Sequence, residues 1–203
     1  MMRAMRNPHH PTREKLIDTA VAMLDDRDVD QLNVNEVLEV SGISKGSMYH
    51  HFTDFDDLIN TALVRRFSRG VDEDLAYLTE VITTTQTSQQ FFAALDHLNE
   101  QVQSPKRADI RAERAMMLAR ARQHDDLLVA LGAEQQRLTT AFADLFREAQ
   151  SRGWFAADVD PVAFATFIQA FTLGQIINDV APESMDYSAW QSLIQQVLLS
   201  LRA

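Results

Sequence analysis

The sequence predicts an all-α fold, on three observations. Gly and Pro are sparse, at 6 and 5 of 203 residues, while the good helix formers Leu, Ala, Gln, Glu and Arg are abundant. Apolar residues return at helical period along nearly the whole chain. No stretch shows strand-like alternation, and no internal repeat is present.

Leu16, Ile17, Ala20, Met23 and Leu24 place a first helix over about 12–27, with Thr12 as its cap after Pro11. Asp25, Asp26, Asp28 and Asp30 fall in the loop that follows. Residues 33–52, NVNEVLEVSGISKGSMYHHF, read as two short helices across a tight turn. Asn33 and Glu36 stand at the spacing of a capping box, with Asn in place of Ser or Thr. Val34, Val37 and Leu38 point one way. Gly42 suits the left-handed conformation that ends a helix, and Ile43 drops back toward the core. Ser44 can cap the second helix. On it Met48 and Phe52 stand one turn apart and face inward. Lys45, Gly46, Ser47, Tyr49 and His50 are left for the edges and the outer face, which is small, polar and basic. Thr53 and Asp56 have the spacing of the next cap. Phe55, Leu58, Ile59, Ala62, Phe67, Val71, Leu75 and Leu78 then predict one long helix over about 54–82, bent near Gly70.

The polar tract 83–87 is a loop, and Ser88 caps a helix carrying Phe91, Phe92, Leu95, Leu98 and Val102. Ser104-Pro105 ends it. Residues 106–122 form a segment rich in Arg, Ala and Met. A helix with Leu127, Leu131, Leu138, Phe142, Leu145 and Phe146 runs from about 125 to Gly153. Asp160-Pro161 is a capping acid followed by Pro at the first helical position. That helix carries Phe164, Phe167, Ile168, Phe171, Gly174 and Ile177 and is broken by Pro182. A last helix over about 187–201 carries Trp190, Leu193, Ile194, Val197 and Leu198.

The net charge is −10, which by itself argues against nucleic-acid binding. Screening over roughly 8–10 Å makes local charge matter more than the total. Arg3, Arg6, Arg13 and Lys15 face a single Glu14 in residues 1–15. A flexible basic arm over 1–11 reads either as a solvated terminus or as an arm tracking a phosphate backbone. The absence of Cys excludes disulfides and fits a reducing cytoplasm. The N-terminus has no apolar core of a signal peptide. The apolar tract near 164–177 is interrupted by Thr166, Gln169, Thr172 and Gln175, so it reads as a buried helix and not as a membrane span. No HExxH, GxSxG, phosphate-loop or Rossmann pattern occurs. His50 and His51 are adjacent on a helix, so their rings diverge by about 100° and cannot chelate one ion together. No catalytic residue, metal or cofactor is expected.

A helix of the kind predicted at 45–51, held by its partner across a short turn, can enter the major groove of DNA. The passage resembles the DNA-binding domain of the TetR/AcrR family of bacterial transcriptional repressors. The resemblance is carried by SGISKGSMYHHF and extends back to PTREKLIDTAVAMLDD and forward to DFDDLINTALVRRF, about the first third of the chain. Leu38 stands where the family usually has a small Ala, and Phe55 near a place where it often has Lys. The expected organisation is an arm over 1–11, a helix-turn-helix domain over 12–58, and a helical effector-binding and dimerisation domain over 59–203. Asn33 and Tyr49, with Thr53 beside them, are expected to hold the phosphate backbone, and Lys45 a phosphate or a base edge. Ser47 and His50 are expected on base edges, Ser44 at the cap of the reading helix, and Gly46 where it permits close approach.

Phe164, Phe167, Ile168 and Phe171 span more than the roughly 100° stripe of a surface helix. With Gly174, Ile177, Trp190, Ile194, Val197 and Leu198 they are the expected dimer interface. Two subunits would hold two reading helices about 34 Å apart on a palindrome. The resemblance also implies a ligand cavity. Its expected walls are Tyr77, Phe91, Leu95, Met116, Met117, Leu138, Phe142 and Phe171, each of which also reads as ordinary core. Arg107, Arg111 and Arg114 share a face that is either solvated or presents a guanidinium to an anionic ligand. Arg114 and Arg120 are the arginines expected to turn inward. The resulting expectation is a cytoplasmic homodimeric repressor of a double-stranded operator, released by a small, mainly apolar effector. The alternatives are a small helical enzyme or a protein-interaction module with a vestigial helix-turn-helix.

Overall fold

The computed structural model describes residues 10–183 and 185–203. The expected basic arm lies, through residue 9, outside them. The chain divides between Gly70 and Val71 into two compact units.

The first unit holds α1 (Pro11–Leu24), α2 (Val34–Ser41), α3 (Lys45–His51) and the first half of α4 (Phe55–Thr84). Helix α1 is capped by His10 and not by Thr12: the His10 ring Nδ1 accepts the Thr12 N–H at 3.2 Å. Pro has no N–H to satisfy and suits the first helical position, so with Pro11 there the cap falls on His10, two residues before Thr12. Asn33 caps α2 through its Oδ1, which accepts the Glu36 N–H at 3.0 Å. Gly42 ends α2 at φ +65°, with the Ile43 N–H donated to the Leu38 carbonyl. Asp54 accepts the Asp57 N–H while Asp57 accepts the Thr53 N–H, each at 2.8 Å. The reciprocal cap of α4 is thus the Asp54–Asp57 pair and not Thr53 with Asp56. Leu16, Ile17, Ala20, Val37, Met48, Phe52, Leu58 and Ile59 form the core. Outside it, Arg65 pairs with Glu14 at 2.8 Å and Arg69 with Asp25 at 3.0 Å. Arg66 donates to the Leu24 carbonyl at 2.6 Å.

The second unit contains the rest of α4, then α5 (Ser88–Gln103), α6 (Ala108–Ala121), α7 (Asp125–Ser151), α8 (Pro161–Gly174), α9 (Ile176–Asp179) and α10 (Tyr187–Leu199). Thr87, one residue before Ser88, is the cap of α5 and accepts the Gln90 N–H at 3.2 Å. Helix α8 packs on α7, and α10 on α5. Phe146, Phe155 and Phe164 interlock at ring separations of 4.7–5.1 Å. The helix expected to run on to Pro182 is interrupted at Gln175, giving α8 and the short α9. The physical anchor is Asp179, drawn into a buried pair with Arg111 of α6. Among the described residues the chain is helical apart from turns and one antiparallel bridge, Phe155 to Arg202.

Candidate DNA-binding face and ligand cavity

Met48 and Phe52 are buried, so α3 is pinned on one side and turns the other outward. Ser44, Lys45, Gly46, His50 and Thr53 are exposed, Tyr49 is 45% exposed, and Ser47 is half-buried. Helix α3 carries Lys45 and no acid. The Ser44 hydroxyl accepts the Ser47 N–H at 3.2 Å and meets the Ser47 hydroxyl at 3.0 Å. These two side chains therefore orient each other. A Cβ at Gly46 would meet nothing within 4 Å, so its small size leaves open surface rather than serving internal packing. The Asn33 amide serves the α2 cap and donates to Glu36 at 3.3 Å, and Glu36 in turn pairs with Arg27 at 2.6 Å. Two supporting contacts were not expected from sequence. The buried His51 ring lies 4.5 Å from that of His10, and the Arg13 guanidinium sits 5.2 Å from the Phe52 ring centroid. Both tie the start of α1 to the inner side of α3.

The second unit encloses a cavity of about 370 Å³. Of the expected walls, Tyr77, Leu95, Arg114, Leu138, Phe142 and Phe171 line it. Phe91, Met116, Met117 and Arg120 do not. Phe91 is fully buried elsewhere, edge-on to Phe92 at 5.5 Å and beside Trp154. Arg107, just before α6, and Arg111, Arg114 and Leu118 on it stand at spacings of four, three and four residues, so one face meets the cavity. That periodicity turns Met116 (58% exposed) away and leaves Met117 and Arg120 off the face. Ile168, expected at the dimer interface, also lines the cavity.

Arg111 is not part of a solvated face. It is buried, donates through Nε and Nη2 to the two carboxylate oxygens of Asp179 at 2.7 Å each, and donates through Nη1 to the carbonyls of Val102 and Ser104. Its capacity is therefore taken up within the fold, where it joins the end of α5 to α6 and α9. Asp74 lies 3.9 Å from Arg114. Burial raises the Asp74 pKa above the ordinary 3.8, outweighing the pull of Arg114 and Arg107. Burial likewise lowers the Arg114 pKa against the opposing effect of Asp74. The Tyr77 hydroxyl donates to the Ala94 carbonyl at 3.1 Å, and burial raises its pKa. Polar groups that sequence reasoning missed also line the space, among them Asn99, Gln135, Thr139 and Gln169. Gln169 donates to the Thr139 hydroxyl at 3.0 Å and accepts from Gln135. Isolated polar residues on apolar helices were the available signal.

Of the expected interface residues, Phe164, Ile194 and Leu198 turn into their own core. Phe167 and Ile177 are exposed, Ile177 at 76%. Ile168, Gly174, Trp190 and Val197 are half-buried. Val162, Val180, Leu193 and Leu199 add exposed apolar surface that was not expected. Among the described residues no group of His, Asp or Glu could hold a metal ion, and no helix is long and apolar enough to cross a membrane.

These features define a helix-turn-helix chain with a separate, cavity-bearing helical unit. Residues 16–62 match the family model of bacterial regulatory proteins of the tetR family. The match covers the helix-turn-helix domain, and the fold of the chain is TetR-like. Solved structures share the fold over nearly the whole length. A chain assigned to the TetR family from Mesorhizobium loti MAFF303099 is 16% identical with a TM-score of 0.68, covering 93% of this chain and 94% of its own. GusR of Salmonella enterica is 19% identical with a TM-score of 0.64, covering 96% and 97%. The fatty acid degradation regulator FadR of Bacillus halodurans is 14% identical with a TM-score of 0.59, covering 95% and 97%. At these identities the likeness is one of fold. No curated protein matches the chain by sequence.

Proposed function

We propose that this regulator is a cytoplasmic, non-enzymatic repressor that binds a palindromic operator as a homodimer and is released by a small, mainly apolar effector. The observation that carries the reading is the outer face of α3. It is polar, free of acids on its own helix, and pinned from behind by Met48 and Phe52. Tyr49 and Asn33 hold the phosphate backbone with Thr53; Lys45 takes a phosphate or a base edge; Ser47 and His50 read bases; Ser44 orients Ser47. The helix-turn-helix domain extends over 12–58 with an arm before it, and 59–203 binds effector and partner. The exposed apolar side of α8, α9 and α10 pairs with its copy. Helix α4, 30 residues long, supplies residues to both compact units and lines the cavity through Asp74, Tyr77 and Leu78. It is the route by which an occupied cavity alters the spacing of two α3 helices. A bias of about 1–3 kcal/mol suffices.

The test uses an operator selected from random duplexes. Wild-type affinity should fall steeply with salt as counterions are released. Tyr49→Ala should weaken all selected duplexes alike and leave the melting temperature nearly unchanged. A collapse in stability would place Tyr49 in the core, and binding indifferent to salt would remove the operator.

A further inference from the structure

The cavity reaches the surface at Arg107 and Ile110, which line it and are exposed. Its charged side chains are Asp74, Arg107, Arg111 and Arg114. Asp179 cancels Arg111, which leaves two guanidinium groups against one carboxyl. Asp74 and Arg114 are each about one third exposed, so both are open to contact. They stand 3.9 Å apart, a looser pair than Arg111 and Asp179 at 2.7 Å. Arg107 makes no side-chain hydrogen bond or ion pair among the described residues, and its charge acts on both Asp74 and Arg114. Glu73, the other acid that acts on Asp74, is exposed and off the wall. Each neutral polar side chain on the wall already donates within the fold. Tyr77 donates to the Ala94 carbonyl and Asn99 to Gln191. Thr139, Thr166 and Thr172 each donate to the carbonyl four residues earlier. Gln135 donates to Gln169, which donates to Thr139 and to the Ala165 carbonyl.

We propose that the effector is an amphipathic anion, with its carboxylate against Arg107 and Arg114 and its apolar chain in the cavity. This rests on the reading of the cavity as the effector site. The sign follows from the charges on the wall. A cation drawn to Asp74 would meet two guanidinium groups beside it, whereas an anion at the guanidinium groups meets one carboxyl. Burial penalises the charge of Arg114, and an anion beside it offsets that cost. A carboxylate also matches the planar fork of a guanidinium donor. Away from the charges, Leu98, Val102, Leu118, Ile168 and Phe171 line the space, are half-buried, and offer only carbon to a ligand. At about 30 Å³ per water-sized group, a cavity of this volume holds roughly a dozen non-hydrogen atoms, which suits a medium-length chain.

The test titrates the full chain calorimetrically with octanoate, octylammonium and 1-octanol at about pH 7, where the first is an anion and the second a cation. Wild type should bind octanoate about ten-fold more tightly than octylammonium. Arg107→Gln should weaken octanoate about five-fold and leave 1-octanol within about two-fold. Arg107 has no partner to lose within the described fold, so that variant should melt like wild type. Asp74→Asn removes the opposing charge and should tighten octanoate about three-fold. Lys106→Gln makes the same charge change one residue away but off the cavity wall, and should leave octanoate unchanged. Octylammonium bound as tightly as octanoate, or binding of neither, would overturn the proposal. So would octanoate binding that is indifferent to Arg107→Gln, weakened equally by Lys106→Gln, or weakened by Asp74→Asn. If octanoate behaves as expected but leaves the operator bound at saturation, the anion site stands and the effector reading falls.

Discussion

Asp74 and Arg114 face each other at 3.9 Å, about one third exposed, at the charged part of the cavity wall. For Asp74, desolvation exceeds the attraction of two guanidinium groups, so its carboxyl holds its proton above the ordinary pKa of 3.8. A carboxyl whose folded pKa is raised contributes stability below its unfolded pKa and loses it as the pH rises through the folded value. Asp74→Asn imitates the protonated group at every pH. Thermal melts of both proteins should therefore show wild type losing ground to the variant as the pH rises above 3.8, with the difference levelling once Asp74 is ionised. A difference that shrinks with rising pH would show that attraction to Arg114 prevails over burial. In the first unit, the acids after α1 looked in sequence like a local excess of negative charge. Asp25 in fact pairs with Arg66 and Arg69. Side-chain partners more than forty residues apart carry no periodic signal, so that cancellation was not legible.

At the scale of elements, α6 shows what a helix-period argument can and cannot supply. The common face of Arg107, Arg111 and Arg114 was legible because three- and four-residue spacing alone places them together. Its destination was not, since an arginine-rich face is equally suited to solvent or to a buried carboxylate. The structure puts Arg111 against Asp179, 68 residues away. Arg111→Ala would strand a largely buried Asp179 and two backbone acceptors, and should cost about 3–5 kcal/mol. For a domain of this size that is a fall of roughly 10 °C in melting temperature. Adding Asp179→Leu to Arg111→Met should recover most of the loss. A single variant that melts like wild type would mean the pair adds nothing to the junction of α5, α6 and α9. The cap errors at α1, α4 and α5 share one cause. Adjacent polar residues compete for the same orphan N–H groups, and backbone geometry chooses among them.

At the scale of the whole molecule, the exposed apolar residues of α8 to α10 are too many to be incidental singles. The proposed dimer covers them, and Gly174 gives a specific test. A Cβ there would meet nothing within 4 Å inside the subunit. Gly174→Leu should leave the fold intact and obstruct only a partner, and sedimentation should show a smaller species with an unchanged melting temperature. A dimer that persists would exclude Gly174 from the interface.

Local physics was enough to read the helix-turn-helix. Capping spacing, a left-handed Gly42 and the Met48–Phe52 pair act within a few residues, so they identify the outward face of α3 directly from the order of amino acids. The second unit is different in kind. Its cavity is bounded by residues from α4 to α10, and whether Phe91, Met117 or Ile168 meets that space depends on how the helices rotate against one another. Equally, the destination of Arg111 appears once α9 is packed beside α6, because an ion pair is a relation between distant segments and not a property of either.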